Sequence, residues 1–500
     1  MRTGFRFQGP GLRVVLLALL ALLCSAAPAW AHIGNKDVFE QVNVGPYTLF
    51  VTIRTPTVIP GVAIIEVRSS GAPIDSLTIT PLLLTGEASK HPPTPDAMKR
   101  SKDDPQFFTG SLWLMGTGSW QVRFGIQGAA GPEATSVPVA AAATALLHMQ
   151  RPMGIMLGVL GLVLVLGIVG IVIGAVRESR LQPGLTPDAN RRQKALAAGA
   201  FALVLAVAAV YLGGKWWNVE AADYAAEMHK NSELHPTLAG STLNLHLGDP
   251  DKEAPNGWLE VKNSDMLLDH GHLMHLYAIR EPEMDAVFHL HPEPTGNKGL
   301  SLTLPAMPPG TYKLYGDVVF LNGFPETETA TLNVPANVST APLASEDASA
   351  TPAPLSAGEL GPTYKLPDGY TMVWSKPASI TASTPYAFQF TLLDSSGLPA
   401  SDMQPYLGMA GHAAFVKADG TTFAHTHPDG SAAMPAMMLA DASTMSAGGM
   451  NDMSGMAGNE PIKPTVDFPY GFPSSGRYRI FIQMKHGSTV ETGAFDAEVK

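Results

Sequence analysis

Cysteine is almost missing from this 500-residue chain, and the only one, Cys24, lies near the N-terminus. Around it, Arg2, Arg6 and Arg13 precede an apolar run over residues 14–23, and Ala29-Trp30-Ala31 follows. A basic start, a short hydrophobic stretch and a small-x-small end form a secretory signal over residues 1–31. Leu23 before Cys24 fits a lipoprotein site poorly. The mature chain is then thiol-free, which excludes disulfides and thiolate ligands. Charge is scarce as well, at 15% of residues with a net −11, and that excludes nucleic acid, which needs a basic surface. The chain has no Gly-rich phosphate loop, nucleophile elbow or HExxH. With no substrate pocket legible either, the expectation is a protein that is not an enzyme.

Two long hydrophobic runs are present. Residues 153–176 and 195–214 carry no charge, and each meets the roughly 20 residues needed to cross a ~30 Å hydrocarbon core. Between them, residues 177–194 hold Arg177, Arg180, Arg191, Arg192 and Lys194 against Glu178 and Asp188. A short basic loop belongs in the cytoplasm, and Trp216-Trp217 suit an interfacial belt. The expected topology is a transmembrane hairpin in a bacterial inner membrane, with the bilayer as partner and both large flanks, 32–150 and 215–500, extracytoplasmic.

The flanks read as strands. Tyr47-Thr48-Leu49-Phe50-Val51-Thr52-Ile53 and Trp120-Gln121-Val122-Arg123-Phe124 alternate with period 2, and Pro60-Gly61, Ser70-Gly71 and Gly116-Thr117-Gly118-Ser119 supply turns. The predicted class is mainly β, with three extracytoplasmic Ig-like β-sandwich units. They cover residues 32–150, 240–335 and 363–500, the last two joined by a Pro/Ala/Ser-rich linker over 336–362 with little to bury.

The last two units repeat one arrangement of histidines. His275 is followed by His289-Leu290-His291-Pro292, and His412 by His425-Thr426-His427-Pro428. Each repeat then reaches a Gly-x-Tyr strand start, at Gly310 and Gly476. Side chains at i and i+2 share one face of a strand, so each HxH pair can converge on one point. His275 and His412 offer a third ligand from the preceding strand, and His272 and Met409 stand three residues earlier. His270 adds to the first group and His486 to the second. Two ligand groups are predicted, as separate sites or one shared site: His272, His275, His289 and His291, and Met409, His412, His425 and His427. The plainer alternative is that the histidines only hydrogen-bond the Pro turn and fix the hairpin.

Met434, Met437, Met438, Met445, Met450, Met453 and Met456 crowd one segment, 434–456, among small residues. Too few large branched side chains accompany them to build a core, so a packing role is not expected. Thioethers suit Cu(I) and imidazoles suit Cu(II), zinc or nickel, so the combination favours copper, with silver or zinc as alternatives. A low-complexity loop that senses oxidation or fills a partner's groove is the competing reading. Cleavage after Ala31 would expose His32, whose amine and ring chelate Cu(II), with His91 or His148 as second imidazole.

Residues 32–140, with Val51-Thr52-Ile53-Arg54 and Gly118-Ser119-Trp120-Gln121-Val122, resemble YtkA-like/FixH-like extracytoplasmic β-sandwich domains. The His32 start resembles that of CopC-like periplasmic copper carriers, and the histidine repeats resemble bacterial membrane proteins of heavy-metal efflux systems. These resemblances imply metal handling in the envelope, and with the methionines the expected role is copper handling: tolerance, efflux or loading of a cuproprotein, within an efflux or assembly complex. Two alternatives stand beside it, a metal-independent assembly module of a membrane complex and a copper-dependent oxidase.

Overall fold

In a computed structural model of the chain, residues 37–146, 149–179, 181–182, 184–248, 261–338, 340–445 and 461–500 are described. Segment 1–31, His32, His148, Met450, Met453 and Met456 lie outside the described residues.

Three antiparallel sandwiches form the β portion of the chain. In the first, period-2 patterning sends alternate side chains inward, so Tyr47–Arg54 buries Tyr47, Leu49, Val51 and Ile53. A five-stranded and a four-stranded sheet close over these and over Ile65, Phe108, Phe124 and Val137. Strand β1 (Val38–Val44) lies at the edge of the five-stranded sheet.

Helices α1 (Arg151–Glu178) and α2 (Ala189–Ala226) follow, both long and apolar enough to cross a membrane. They pack as a hairpin at Gly199, where an added Cβ would come within 2.4 Å of Ile173. Asp188 caps α2 by accepting from the Arg191 N–H at 2.7 Å. At 1.5 Å per residue the helices are about 42 and 57 Å long, more than a ~30 Å hydrocarbon core requires. Helix α2 therefore continues past the expected span, carrying Trp216 and Trp217, until the Tyr224 hydroxyl accepts from the Ile59 N–H of the first sandwich at 3.1 Å.

Each later sandwich joins an outer four-stranded sheet to an inner histidine-bearing sheet. In repeat 1 the inner sheet holds β2 (His275–Arg280), β3 (Val287–Leu290), β4 (Gly310–Phe320) and β5 (Pro325–Val334). In repeat 2 the matching strands are β6 (His412–Lys417), β7 (Phe423–Thr426), β8 (Gly476–His486) and β9 (Thr489–Val499). Pairing registers agree: His275 faces Asp317 across β2–β4, and His412 faces Gln483 across β6–β8.

The inner sheets bury both faces. Leu276, Ala278 and Leu314 enter the core of repeat 1, and Phe415, Ile480 and Phe495 that of repeat 2. The alternate residues Tyr277, Ile279, Val287, Tyr315, Val416, Phe423 and Phe481 meet between the repeats as a further apolar core. The two inner sheets thus pack face to face, with histidines at one end of the contact.

Two sequence expectations change here. The 336–362 linker carries a strand, Ala348–Ala350, paired to β3, with Ala348 fully buried. The methionine segment begins as helix α3 (Met434–Met445), and Ala436 and Ala440 bury against Leu84 of the first sandwich. Small residues, rather than large branched ones, let that helix approach closely. Just before it, the chain after the second HxH pair lies along the outer edge of β1. Gln41 N–H donates to the Asp429 carbonyl at 2.6 Å, and Ser431 N–H to that of Phe39 at 2.9 Å. Glu40 accepts from the Ala432 N–H at 2.5 Å. An otherwise unpaired strand edge is covered in this way.

Candidate metal centre

The two HxH strands enter from opposite sheets, and their rings merge into one cluster. Within repeat 1, His275 Nδ1 lies 3.0 Å from His289 Nε2, and the His289 and His291 centroids are 4.6 Å apart. Across the interface His425 stands 5.3 Å from His275 and 5.4 Å from His289. His412 is 6.3 Å from His275. Eight imidazoles, those of His270, His272, His275, His289, His291, His412, His425 and His427, form one continuous set of ring contacts. The two histidine groups of the sequence thus lie together in one shared cluster.

Two triads within it bring one ligand atom from each residue to within 4.8 Å of the others: His275/His289/His291 and His270/His412/His427. The first is the predicted set. The second mixes the repeats, because His270 leaves repeat 1's group to join repeat 2's. Its backbone explains this: φ of 51° at His270 and 91° at Gly271 turns the chain sharply, setting the ring 5.3 Å from His412 and 5.0 Å from His427. His272 stacks near His291 at 4.3 Å and meets Glu346 at 3.1 Å. His486 is not part of the cluster. It lies on the other face of β8, as parity with the core residue Met484 requires.

Partners from outside the histidine motifs orient the rings. His289 Nδ1 lies 2.8 Å from Gln483 Oε1 and 3.2 Å from the Tyr406 hydroxyl, and Tyr277 stacks on the ring at 4.2 Å. Asp317 Oδ2 lies 3.3 Å from His425 Nδ1, and Asp347 Oδ1 3.0 Å from His291 Nδ1. Such contacts orient an imidazole and set which nitrogen carries the proton. Sequence motifs did not single these residues out. Gln483 and Asp317 become legible only once strand register sets them opposite His412 and His275. Asp347 and Glu346 sit in the supposed linker.

Burial, reinforced by neighbouring imidazoles, holds His275, His289, His412 and His427 well below the ordinary histidine range. Burial puts His270 at about 4. Burial lowers His291 too, against the hydrogen bond it donates to Asp347. Burial raises Asp269 to about 7, against the pull of His425. These imidazoles are therefore neutral at pH 7, and a neutral ring carries one lone pair that can serve a cation; the lone pair between His275 and His289 is taken up by their mutual hydrogen bond. Among the described residues, six buried ring nitrogens of the cluster find no hydrogen-bond partner: His270 Nε2, His291 Nε2, both of His412, His425 Nε2 and His427 Nε2. At about 1–3 kcal/mol each, their desolvation approaches the whole stability of a typical domain. A purely structural network would satisfy them, whereas a metal would take the lone pair of one nitrogen on each ring.

Two cavities reach the cluster. One, of about 500 Å³, is lined by Met409, Met434, Met437 and His427. The other, of about 200 Å³, is lined by Asp269, Asp317, His425 and His427, with His229 and Glu326 farther out. Met438 is 41% exposed and lines neither. His91, the proposed partner of His32, stands exposed on the first sandwich, 3.9 Å from Glu87.

Residues 364–500, which make up repeat 2, match the family model described as a domain of unknown function, DUF8832. No curated protein matches the chain. Among solved structures it is similar to a tetra-tandem repeat from the extending region of a large adhesion protein, at 8% identity and a TM-score of 0.17, covering 90% of this chain and 74% of that one. A second is a structure of a 1.5-MDa bacterial ice-binding adhesin, at 7% identity and a TM-score of 0.14, covering 92% and 99%. An ICAM-5 D1–D4 ectodomain fragment follows at 10% identity and a TM-score of 0.16, covering 91% and 77%.

Proposed function

We propose that this chain is a membrane-anchored, extracytoplasmic copper-binding protein of the bacterial inner membrane that captures or relays copper for tolerance, efflux or cuproprotein loading. The observation carrying this reading is the merged histidine cluster, with six buried ring nitrogens that find no partner among the described residues. Two triads of neutral imidazoles suit two ions, and imidazole alone would accept copper, zinc or nickel. The thioethers of Met409, Met434 and Met437 beside His427 tip the preference to copper, because soft sulfur selects Cu(I) and its analogue Ag(I). Copper would enter as Cu(I) past the thioethers and rest among the imidazoles in either oxidation state.

The test is a copper, silver and zinc titration of the full chain in detergent, under reducing and oxidising conditions. The same titration is run on His289→Ala/His291→Ala/His425→Ala/His427→Ala. Tight copper binding that disappears in the variant supports a copper carrier. Binding no tighter than millimolar in the native chain overturns the reading and favours a metal-independent assembly module. A copper oxidase is favoured by one observation, the cavity that brings Asp269 and Asp317 to His425. Oxygen consumption by the copper-loaded chain separates it from a carrier.

A further inference from the structure

On the opposite face of the β8–β9 hairpin, away from the histidine cluster, a different ligand set converges. Gln483 faces the cluster, so by strand alternation Met484 and His486 face the other way, and Glu491, paired with Met484, shares that side. His486 is 7% exposed. Its Nδ1 lies 3.3 Å from Asp402 Oδ2, and Tyr370 stacks on the ring at 3.8 Å while donating its hydroxyl proton to Asp402 at 3.3 Å. The ring is therefore held from one edge and one face. Its Nε2 is buried and makes no hydrogen bond among the described residues, although Asp368 Oδ2 forms an ion-pair contact at 2.9 Å. Glu491 completes the group: one atom each from Asp368, His486 and Glu491 lies within 4.8 Å of the others.

We propose that Asp368, His486 Nε2 and Glu491 bind a divalent first-row cation such as Zn²⁺, with Asp402 as the carboxylate that orients the imidazole. One nitrogen and two carboxylate oxygens form a harder ligand set than the histidine cluster, suited to Zn²⁺ or Mn²⁺ over Cu(I). A carboxylate on the far nitrogen of a ligating histidine is the usual device for fixing its tautomer and ring plane. Repeat 1 supplies an internal contrast. Asp265 and Glu326 stand where Asp402 and Glu491 do, but Phe320 replaces His486, as the matching pairs Met266–Phe320 and Met403–His486 show. Repeat 1 keeps these carboxylates but has no imidazole at the His486 position; His229 approaches Glu326 at 3.5 Å from the segment after α2 instead.

The experiment is zinc stoichiometry and affinity on the metal-stripped full chain in detergent, compared with Asp368→Asn/Glu491→Gln and with Asp402→Asn. The double variant should lose one Zn²⁺ equivalent, at least about a hundred-fold in affinity, with unchanged metal-free Tm and unchanged copper uptake. Asp402→Asn should keep that equivalent and weaken it about ten- to hundred-fold. An unaltered zinc equivalent in the double variant overturns the proposal. Should that variant misfold, anomalous scattering at the zinc edge from the native protein decides. A peak bounded by the three side chains supports the site, and its absence leaves only an ion pair. Zinc held by the histidine cluster is common to the native chain and both variants, so the difference between them reports this site alone.

Discussion

Repeat 1 and repeat 2 share a frame and differ in what hangs on it. Both turn the chain with a left-handed residue followed by a left-handed glycine, His270-Gly271 and Leu407-Gly408, with φ of 51° and 91° against 50° and 79°. At the non-glycine residue this conformation costs about 1–3 kcal/mol, and both repeats retain it. In repeat 1 the turn delivers an imidazole across the interface. In repeat 2 it delivers Leu407, flanked by Tyr406, which reaches His289, and Met409, which lines the thioether cavity. The residues opposite the first histidines differ likewise: Asp317 reaches His425, and Gln483 reaches His289. Two near-copies packed face to face can place each one's variable positions on the other's histidines, so divergence makes one asymmetric site from a symmetric frame.

The sharpest way to break the comparison is to remove one histidine from each triad. His412→Ala should abolish one copper equivalent, weakening it at least about a hundred-fold, or ~2.7 kcal/mol. His289→Ala should abolish the other. His270→Ala, although on repeat 1, should behave like His412→Ala in a copper titration. If it instead tracks His289→Ala, the mixed triad is wrong.

Gly430→Ala comes next. A Cβ there would lie 2.3 Å from Glu40 and from the Phe39 carbonyl, so the loop after the second HxH pair should lose its seat on β1. Repeat 1 has no such contact among the described residues. The expected destabilisation is about 2 kcal/mol, read as faster proteolysis between residues 428 and 434.

Glu328 in repeat 1 occupies the register position of Gly493 in repeat 2. It is fully buried, and burial, with Glu326 beside it, pushes its carboxyl up to about 11. A raised folded pKa contributes stability that is complete below the unfolded value of about 4.5 and is lost as pH rises toward the folded one. Glu328→Gln imitates the protonated form. It should raise stability at pH 8 by about 2 kcal/mol, and this gain should vanish near pH 4.5. Equal Tm differences at both pH values would contradict it.

The smallest effect belongs to the thioethers. Met409→Leu/Met434→Leu/Met437→Leu should weaken Cu(I) and Ag(I) capture about ten-fold, or ~1.4 kcal/mol, and leave Cu(II) and Zn²⁺ binding unchanged. An equal loss for all four ions would point to packing rather than ligation.

Much of this architecture was legible in local patterns. Alternation in Tyr47–Arg54 marks a strand with one face in the core, and 24 uncharged residues mark a helix whatever surrounds them. The i, i+2 spacing of His289/His291 and His425/His427 put each pair on one face of its strand, and matching spacing in the repeats predicted a common fold. Failures lay where chemistry depends on distant neighbours. Ala436 and Ala440 carry no visible core signal until Leu84 is beside them. Asp347 looks like a linker residue until β3 pairs with Ala348–Ala350. His486 looks like one more cluster histidine until strand parity turns it to the other face.

The sequence by itself determined the residue types available: a chain almost without cysteine, rich in histidine and methionine near its C-terminal end, with two long apolar runs and duplicated HxH strands. Side-chain periodicity and hydropathy are local properties, so they survive in one dimension. Whether the duplicated histidines formed two sites or one was decided only by the tertiary structure. The inner sheets bury apolar residues against each other at one end, and that contact brings the imidazoles together at the other. A face-to-face packing of this kind joins residues more than a hundred positions apart, and no periodicity along the chain records it.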